Sequence, residues 1–179
     1  GLEQGVAPAA AENAAPLESI EPAPLPLLLE GRFYAAQNAD GSWYLTQGKE
    51  VYLPDTDRLA AILDGEAELW AFDAKPLYRL ALEHGGVGKA LRFDGKLAAY
   101  LLNPSASGYA VHPLAAEYGV AAAFACEVAP DAGVLVGLCD TLAAALDESG
   151  QRRLLDEMEL PLARVLADME RIGFAVDAD

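Results

Sequence analysis

The order of residue patterns along the chain predicts an α/β domain, a mixed sheet with flanking helices. Three observations carry this. Residues 25–53 alternate short aromatic and aliphatic runs with turn-forming residues, the signature of an antiparallel meander. Residues 55–118 then alternate helix-period segments with brief strand-like runs. The chain closes on two longer apolar stripes of helical spacing. Meander, alternating helix and strand, then helices is an order that α/β architectures produce.

Taken in sequence, residues 1–24 are rich in Ala, Pro and Glu. Such a segment buries too little apolar surface to offset its ordering entropy, so a disordered interdomain linker, semi-stiff from its prolines, is expected. LPLLL (residues 25–29) reads as a buried strand. RFYAAQ and SWYLT follow as aromatic-bearing strands, separated by the turn Asn38-Ala39-Asp40-Gly41. Gln47-Gly48 turns the chain into KEVYLP, and Pro54 ends a meander of three or four strands. Asp55 or Thr56 can cap a short helix carrying Leu59, Ile62 and Leu63, stopped by Gly65. ELWAF (residues 68–72) is a strand. Residues 74–84 are helical, with Leu77, Leu80 and Ala81 on one face and Gly85-Gly86 as the stop. ALRF is a brief strand, and Asp94 caps a helix that carries Leu97, Tyr100 and Leu101 and ends before Pro104. Pro113 suits the first turn of a short helix through Tyr118. A helix over about 131–146 shows Leu135, Leu138, Leu142 and Leu146, and Ser149-Gly150 break it. The last stripe, over about 151–173, holds Leu155, Met158, Leu162, Val165, Leu166 and Met169; Pro161 should kink this helix and Gly173 end it.

Composition excludes several function classes. The 28 acidic residues outnumber 12 basic ones, giving a net charge of −16. A surface that tracks phosphates needs clustered Lys and Arg, whereas here the only adjacent pair is Arg152-Arg153, so an independent nucleic-acid-binding module is not expected. No apolar run reaches the roughly 18–20 residues of a membrane span, and the N-terminus lacks the pattern of a secretory signal. A cytoplasmic protein with no membrane partner follows. Cys126 and Cys139, with His84 and His112, make no zinc-site spacing, so the cysteines read as half-buried thiols in a reducing compartment. Trp43 and Trp70 sit in strand patterns and read as core rather than as base-stacking platforms, which work with a basic groove.

Three stretches add a family resemblance: FDAKPLYRLALEHGG (72–86), FDGKLAAYLLNPSASGY (93–109, followed by LAAEYG) and LLDEMELPLARVLADMERIGFAVD (154–177). On these, and most specifically on Glu159, Pro161, Leu162, Val165, Leu166, Met169, Glu170, Gly173, Val176 and Asp177 of the last, the chain resembles the exonuclease domain of bacterial family A DNA polymerases. The resemblance implies a ribonuclease H-like fold. Residues 25–179 would be an exonuclease-like domain whose last helix leads into a polymerase domain, and residues 1–24 the link from a preceding 5′-nuclease domain. It implies a monomer, with the polymerase domain of the same parent chain as partner and DNA reached through that parent. Mg²⁺ would serve the polymerase domain, with no cofactor for this one.

Active members of that family hydrolyse a terminal phosphodiester with two metal ions, which need carboxylate oxygens converging on one point. The family supplies them from Asp-x-Glu on the first strand, Asn-x-x-Phe/Tyr-Asp near the second helix and Tyr-x-x-x-Asp on a late helix. No acidic residue lies four positions after any of the seven tyrosines, nor after His84 or His112. Aligning FDAKPLY on the middle motif puts Asp73 at the Asn and Leu77 at the metal-binding Asp. With residues 25–30 as the opening strand, the first motif is reduced to Leu28-Leu29-Glu30. Asp64-Gly65-Glu66 comes after the meander and reads as an acidic surface turn. No catalytic, metal or cofactor residue is therefore expected, and Asp73 and Leu77 mark degenerate positions. The leading expectation is a catalytically inactive 3′→5′ exonuclease-like domain that braces a polymerase domain in DNA replication or repair. The rivals are an active proofreading exonuclease drawing on Asp64, Glu66 and Asp73, and a free-standing acidic interaction domain.

Overall fold

The computed structural model describes residues 15–177. Its centre is strand β1 (Arg32–Gln37). On one side β1 pairs antiparallel with β2 (Trp43–Gln47), which pairs antiparallel with β3 (Glu50–Tyr52). On the other side it pairs parallel with β4 (Glu68–Ala71), and β4 with β5 (Leu91–Asp94), giving the order β3-β2-β1-β4-β5. The antiparallel half needs only tight turns, as at Asn38, whose N–H reaches the Ser42 carbonyl. The parallel half needs crossovers. Helix α1 (Thr56–Leu63) leads into β4, and α2 (Lys75–Glu83) links β4 to β5. Then follow α3 (Gly95–Leu102), α4 (Val111–Glu117) and α5 (Ala132–Ser149). A helical turn α6 (Arg152–Leu154), a π-helical segment (Leu155–Glu159) and α7 (Leu160–Asp177) complete the chain. This is the mixed sheet with flanking helices that the sequence predicts.

Alternation along the strands fixes the two faces. Tyr34 donates its hydroxyl to Asp140 on α5, so Tyr34 and its neighbour across the parallel ladder, Trp70, lie on the α5 face. Trp70 stacks on Phe93 with ring centroids 4.5 Å apart. Helix α5 supplies Leu135, Leu138, Leu142 and Leu146 to the core, all fully buried, and α3 and α4 pack on it. The opposite face carries Phe33, Ala35 and Leu69, and helix α2 packs against α1 and α7.

Four expectations change. The run LPLLL is not a strand: Leu27 is 98% exposed and Leu28 71%. Pro24 and Pro26 remove the N–H groups a ladder would need, and the meander has three strands. Of the expected linker, residues 1–14 lie outside the described residues, and its later part is tied down. Ile20 N–H bonds the Ala125 carbonyl at 2.8 Å, Ala125 N–H bonds the Glu18 carbonyl at 2.8 Å, and Ala23 N–H bonds the Val51 carbonyl at 2.7 Å. Near Pro161 the helix widens instead of simply kinking: the Leu160 N–H reaches the Leu155 carbonyl, five residues back. Gly173 does not end α7, which continues to Asp177.

Asp94 does more than cap α3. It is 2% exposed, and its carboxylate accepts the N–H groups of Lys96 (2.8 Å) and Leu97 (3.2 Å) at the start of α3. It also accepts those of Asp73 (3.1 Å) and Ala74 (2.8 Å) at the start of α2. Asp73 has φ 70°, a left-handed conformation that Asp tolerates better than most residues, and this bond helps hold it there. Burial pushes the Asp94 carboxyl above its ordinary range, and the backbone donors oppose that push. Asp94→Ala would leave four N–H groups without their acceptor. The expected loss is roughly 3–5 kcal/mol of stability, each orphaned donor costing about 1–3 kcal/mol with partial relief by water. Urea unfolding followed by circular dichroism measures it; a midpoint within error of the parent would refute the double-anchor role.

Candidate functional site

In open α/β sheets, ligands bind beyond the carboxyl ends of the strands. Here a cleft of about 330 Å³ opens there. Ala36, Gln37 and Asn38 line it from the end of β1, Phe72 and Asp73 from the turn after β4, and Val111 and Asp131 from the far wall. The turn after β4 is placed by Asp94, and Asp131 is the residue from which α5 starts.

The cleft contains two carboxylates, and each has a cationic or titratable partner. Asp73 lies 3.6 Å from the Lys96 ammonium, with both side chains partly exposed. Asp131 lies 2.9 Å from His112 Nε2. Leu77, one turn into α2, is fully buried in the hydrocarbon core. The structure also moves the opening strand. It is β1, RFYAAQ, which has no carboxylate, so Leu28-Leu29-Glu30 precedes the strand rather than sitting on it.

These residues do not fit a two-metal centre. Such a centre needs several carboxylate oxygens converging on a point. The first strand supplies none, and Leu77, the position the sequence alignment set against the middle carboxylate, is buried in hydrocarbon. Among the described residues no group of three or more His, Cys, Asp or Glu is placed to hold a metal ion.

Asp131 was not found by tyrosine spacing, because Glu127 stands four residues before it. A search for any acidic residue opening the first long C-terminal helix would have found it. The other singled-out residues have structural surroundings. Asp64 ends α1, and its carboxylate accepts the N–H groups of Val87 and Gly88, both at 3.0 Å. It fits because residue 86 is glycine: a Cβ there would come within 1.9 Å of the Asp64 carboxylate. Glu66 pairs with Lys89 at 3.1 Å. Both acids lie before β4, at the opposite end of that strand from the cleft. Trp70 is buried and Trp43 half-buried, in keeping with core roles. Cys126 and Cys139 are free thiols, fully rather than half buried, and burial pushes the Cys139 thiol up. His84 Nδ1 lies 3.0 Å from the Leu80 carbonyl at the end of α2. Burial, then the hydrogen bond to Asp140, pushes the Tyr34 hydroxyl up to about 12.

Comparison with known proteins adds to this geometry. Residues 32–128 match the family described as DNA polymerase I, ribonuclease H-like domain, a span that starts at β1 and runs to the loop before α5. DNA polymerase I of Bacillus subtilis (strain 168) is 31% identical over 167 residues, covering 82% of this chain and 19% of that protein. The chain thus spans about a fifth of that relative's length. Among solved structures, the POL domain of Pol1 from M. smegmatis, in complex with DNA primer-template and dNTP, superposes with a TM-score of 0.62 at 23% identity. The match covers 78% of this chain and 28% of that one and supports the fold. Among the described residues no helix is long and apolar enough to cross a membrane.

The packing around Leu77 predicts the outcome of restoring a carboxylate. Leu77→Asp places an unpaired charge in hydrocarbon and should cost roughly 3–5 kcal/mol at neutral pH. Millimolar Mg²⁺ should return none of it in urea melts. Metal-dependent recovery of stability would show that the cleft can still assemble a metal site.

Proposed function

Because this chain belongs to the ribonuclease H-like domain family of DNA polymerase I, we propose that it is a catalytically silent platform for the polymerase domain of its parent chain. One observation carries the platform reading. Helix α7 and the π-helical segment before it expose Met158, Leu162, Val165, Leu166, Met169 and Ile172, while Leu160, Ala163 and Ala167 on the inner side are buried. A contiguous apolar stripe of this size on an acidic surface marks an interaction face. Fully covering each such side chain stabilises an interface by about 1.5–3 kcal/mol before the costs of docking. The polymerase domain of the same chain is the occupant the family provides. The silent reading is supported by Leu77 in the core, by the carboxylate-free β1 and by the Asp73–Lys96 pair. In this reading the domain acts in replication or repair in the bacterial cytoplasm, Mg²⁺ belongs to the polymerase domain, and the net charge of −16 leaves DNA contacts to the parent protein.

A second reading, an active 3′→5′ exonuclease, has one observation in its favour: Asp73 and Asp131 share the cleft. Hydrolysis of a 5′-labelled single-stranded oligonucleotide, with Mg²⁺ or Mn²⁺ against a chelator, separates the two. With the protein in large excess, no metal-dependent shortening is expected. Stepwise loss from the 3′ end that disappears in Asp73→Asn or Asp131→Asn would overturn the silent reading.

The stripe makes its own prediction. Leu162→Glu combined with Met169→Glu should leave the melting of this chain nearly unchanged, within about 0.5 kcal/mol, since both side chains are exposed. The same pair should abolish association with the parent's polymerase domain supplied in trans, measured by analytical ultracentrifugation. Unchanged association would remove the stripe from the interface.

A further inference from the structure

A second cleft, of about 860 Å³, lies away from the site described above, at the opposite end of β4. Its walls are the starts of β4 and β5 on one side and α6 to α7 on the other, with Tyr78 between them. Four of the twelve basic residues line it: Lys89, Arg92, Arg152 and Arg164.

Their pairing is what singles the cleft out. In a chain with 28 acidic residues, cations find carboxylates easily. Among the described residues, nine of the twelve Lys and Arg have a carboxylate within 4.0 Å: Arg32, Lys49, Lys75, Arg79, Lys89, Lys96, Arg152, Arg153 and Arg171. Of the remaining three, Arg58 donates to the Pro26 carbonyl. The other two, Arg92 and Arg164, have no carboxylate partner among the described residues, and both line this one cleft. They come from different elements, β5 and α7, and both act electrostatically on the Tyr78 hydroxyl. Arg152 joins them. Its Nε lies 3.5 Å from Asp156, close enough for charge attraction but not for a hydrogen bond, and the buried Nε–H has no acceptor.

We propose that the cleft between β5 and α7 binds the phosphate groups of a small ligand, a free nucleotide or pyrophosphate, through Arg92 and Arg164. Planar guanidinium groups from two walls suit the several oxygens of a phosphate, which accept two-pronged, charge-assisted hydrogen bonds. The cleft lies within the size range of small-molecule sites. Glu66, Glu68 and Asp156 also line it and limit the total positive charge. Those acids, and the net charge of −16, oppose a long polyanion more than a compact one, so a nucleic-acid strand is disfavoured. The proposal does not depend on the platform reading.

Isothermal titration of the 179-residue chain, free of metal and at low ionic strength, tests it with three probes: pyrophosphate, a deoxynucleoside triphosphate and a twelve-residue oligothymidylate. Saturable binding of pyrophosphate or the triphosphate is expected, tighter than any binding of the oligonucleotide. Arg92→Gln and Arg164→Gln should each weaken it about tenfold or more, and Arg58→Gln should leave it unchanged. The substitutions keep most of each side-chain stem at surface positions, so the fold is expected to be unchanged, and circular dichroism verifies that. No saturable binding of either small probe overturns the proposal, as does binding insensitive to both substitutions. Preference for the oligonucleotide overturns the small-ligand assignment and points to a nucleic-acid contact instead.

Discussion

Two helices begin on one buried carboxylate. Asp94 ends β5, starts α3 and, through the N–H groups of Asp73 and Ala74, sets the turn from β4 into α2. A charged or protonated oxygen in the interior survives only with partners, and here the partners are backbone donors that the two helix starts would otherwise leave open. The parallel half of the sheet depends on this arrangement. β4 and β5 are neighbours with only two short strands' worth of ladder between them, and their register shifts between Leu69 and Trp70. Side-chain anchoring at their carboxyl ends compensates for a short ladder. Asp64 performs a related task at the other end, where it binds the loop that enters β5.

The same anchoring shapes the cleft. Because Asp94 holds the turn after β4, Asp73 is presented at the mouth with a left-handed backbone, and Leu77 follows one turn later, pointing its bulk into the core. A metal-binding carboxylate at that position would need counter-charge around it, and what surrounds Leu77 is the hydrocarbon cluster. The two acids of the cleft, Asp73 and Asp131, lie beside ordinary partners, Lys96 and His112. Such pairs satisfy each carboxylate singly and do not draw them to a shared point.

What the sequence could and could not reveal follows from the range of the forces involved. Local signals were legible: the leucine stripe of α5, the cap at Asp94, and the aromatic strands β1 and β2 all rest on neighbours within a few residues. The opening strand is displaced from LPLLL because the hydrophobicity of that run says nothing of Pro26 within it and Pro24 just before it, and the prolines decide whether a ladder can form. The π-helical turn was visible only as a kink, since a proline shows that a bond is missing but not how the backbone closes around it. Asp131 was missed for a different reason. The family pattern sets a tyrosine four residues before its late acid, whereas Glu127 stands there, and only the fold brings the start of α5 to the end of β1. The second half of Asp94's role spans elements separated in sequence, and no local pattern encodes it.

Charge distribution carries the same lesson to the surface. A net charge of −16 is a sum, and sums hide geometry. Arg92 and Arg164 are isolated in sequence and adjacent to nothing that suggests a site. Only the packing of α7 across the start of β5 brings them to one cleft. An acidic protein has abundant means to neutralise its arginines. Among the described residues three arginines remain without carboxylates; two of them, Arg92 and Arg164, stand on opposite walls of the same opening, which is more informative than any count of positive residues. Arg164 shares α7 with the exposed apolar stripe, so one helix carries a guanidinium of the cleft and a hydrophobic face at once.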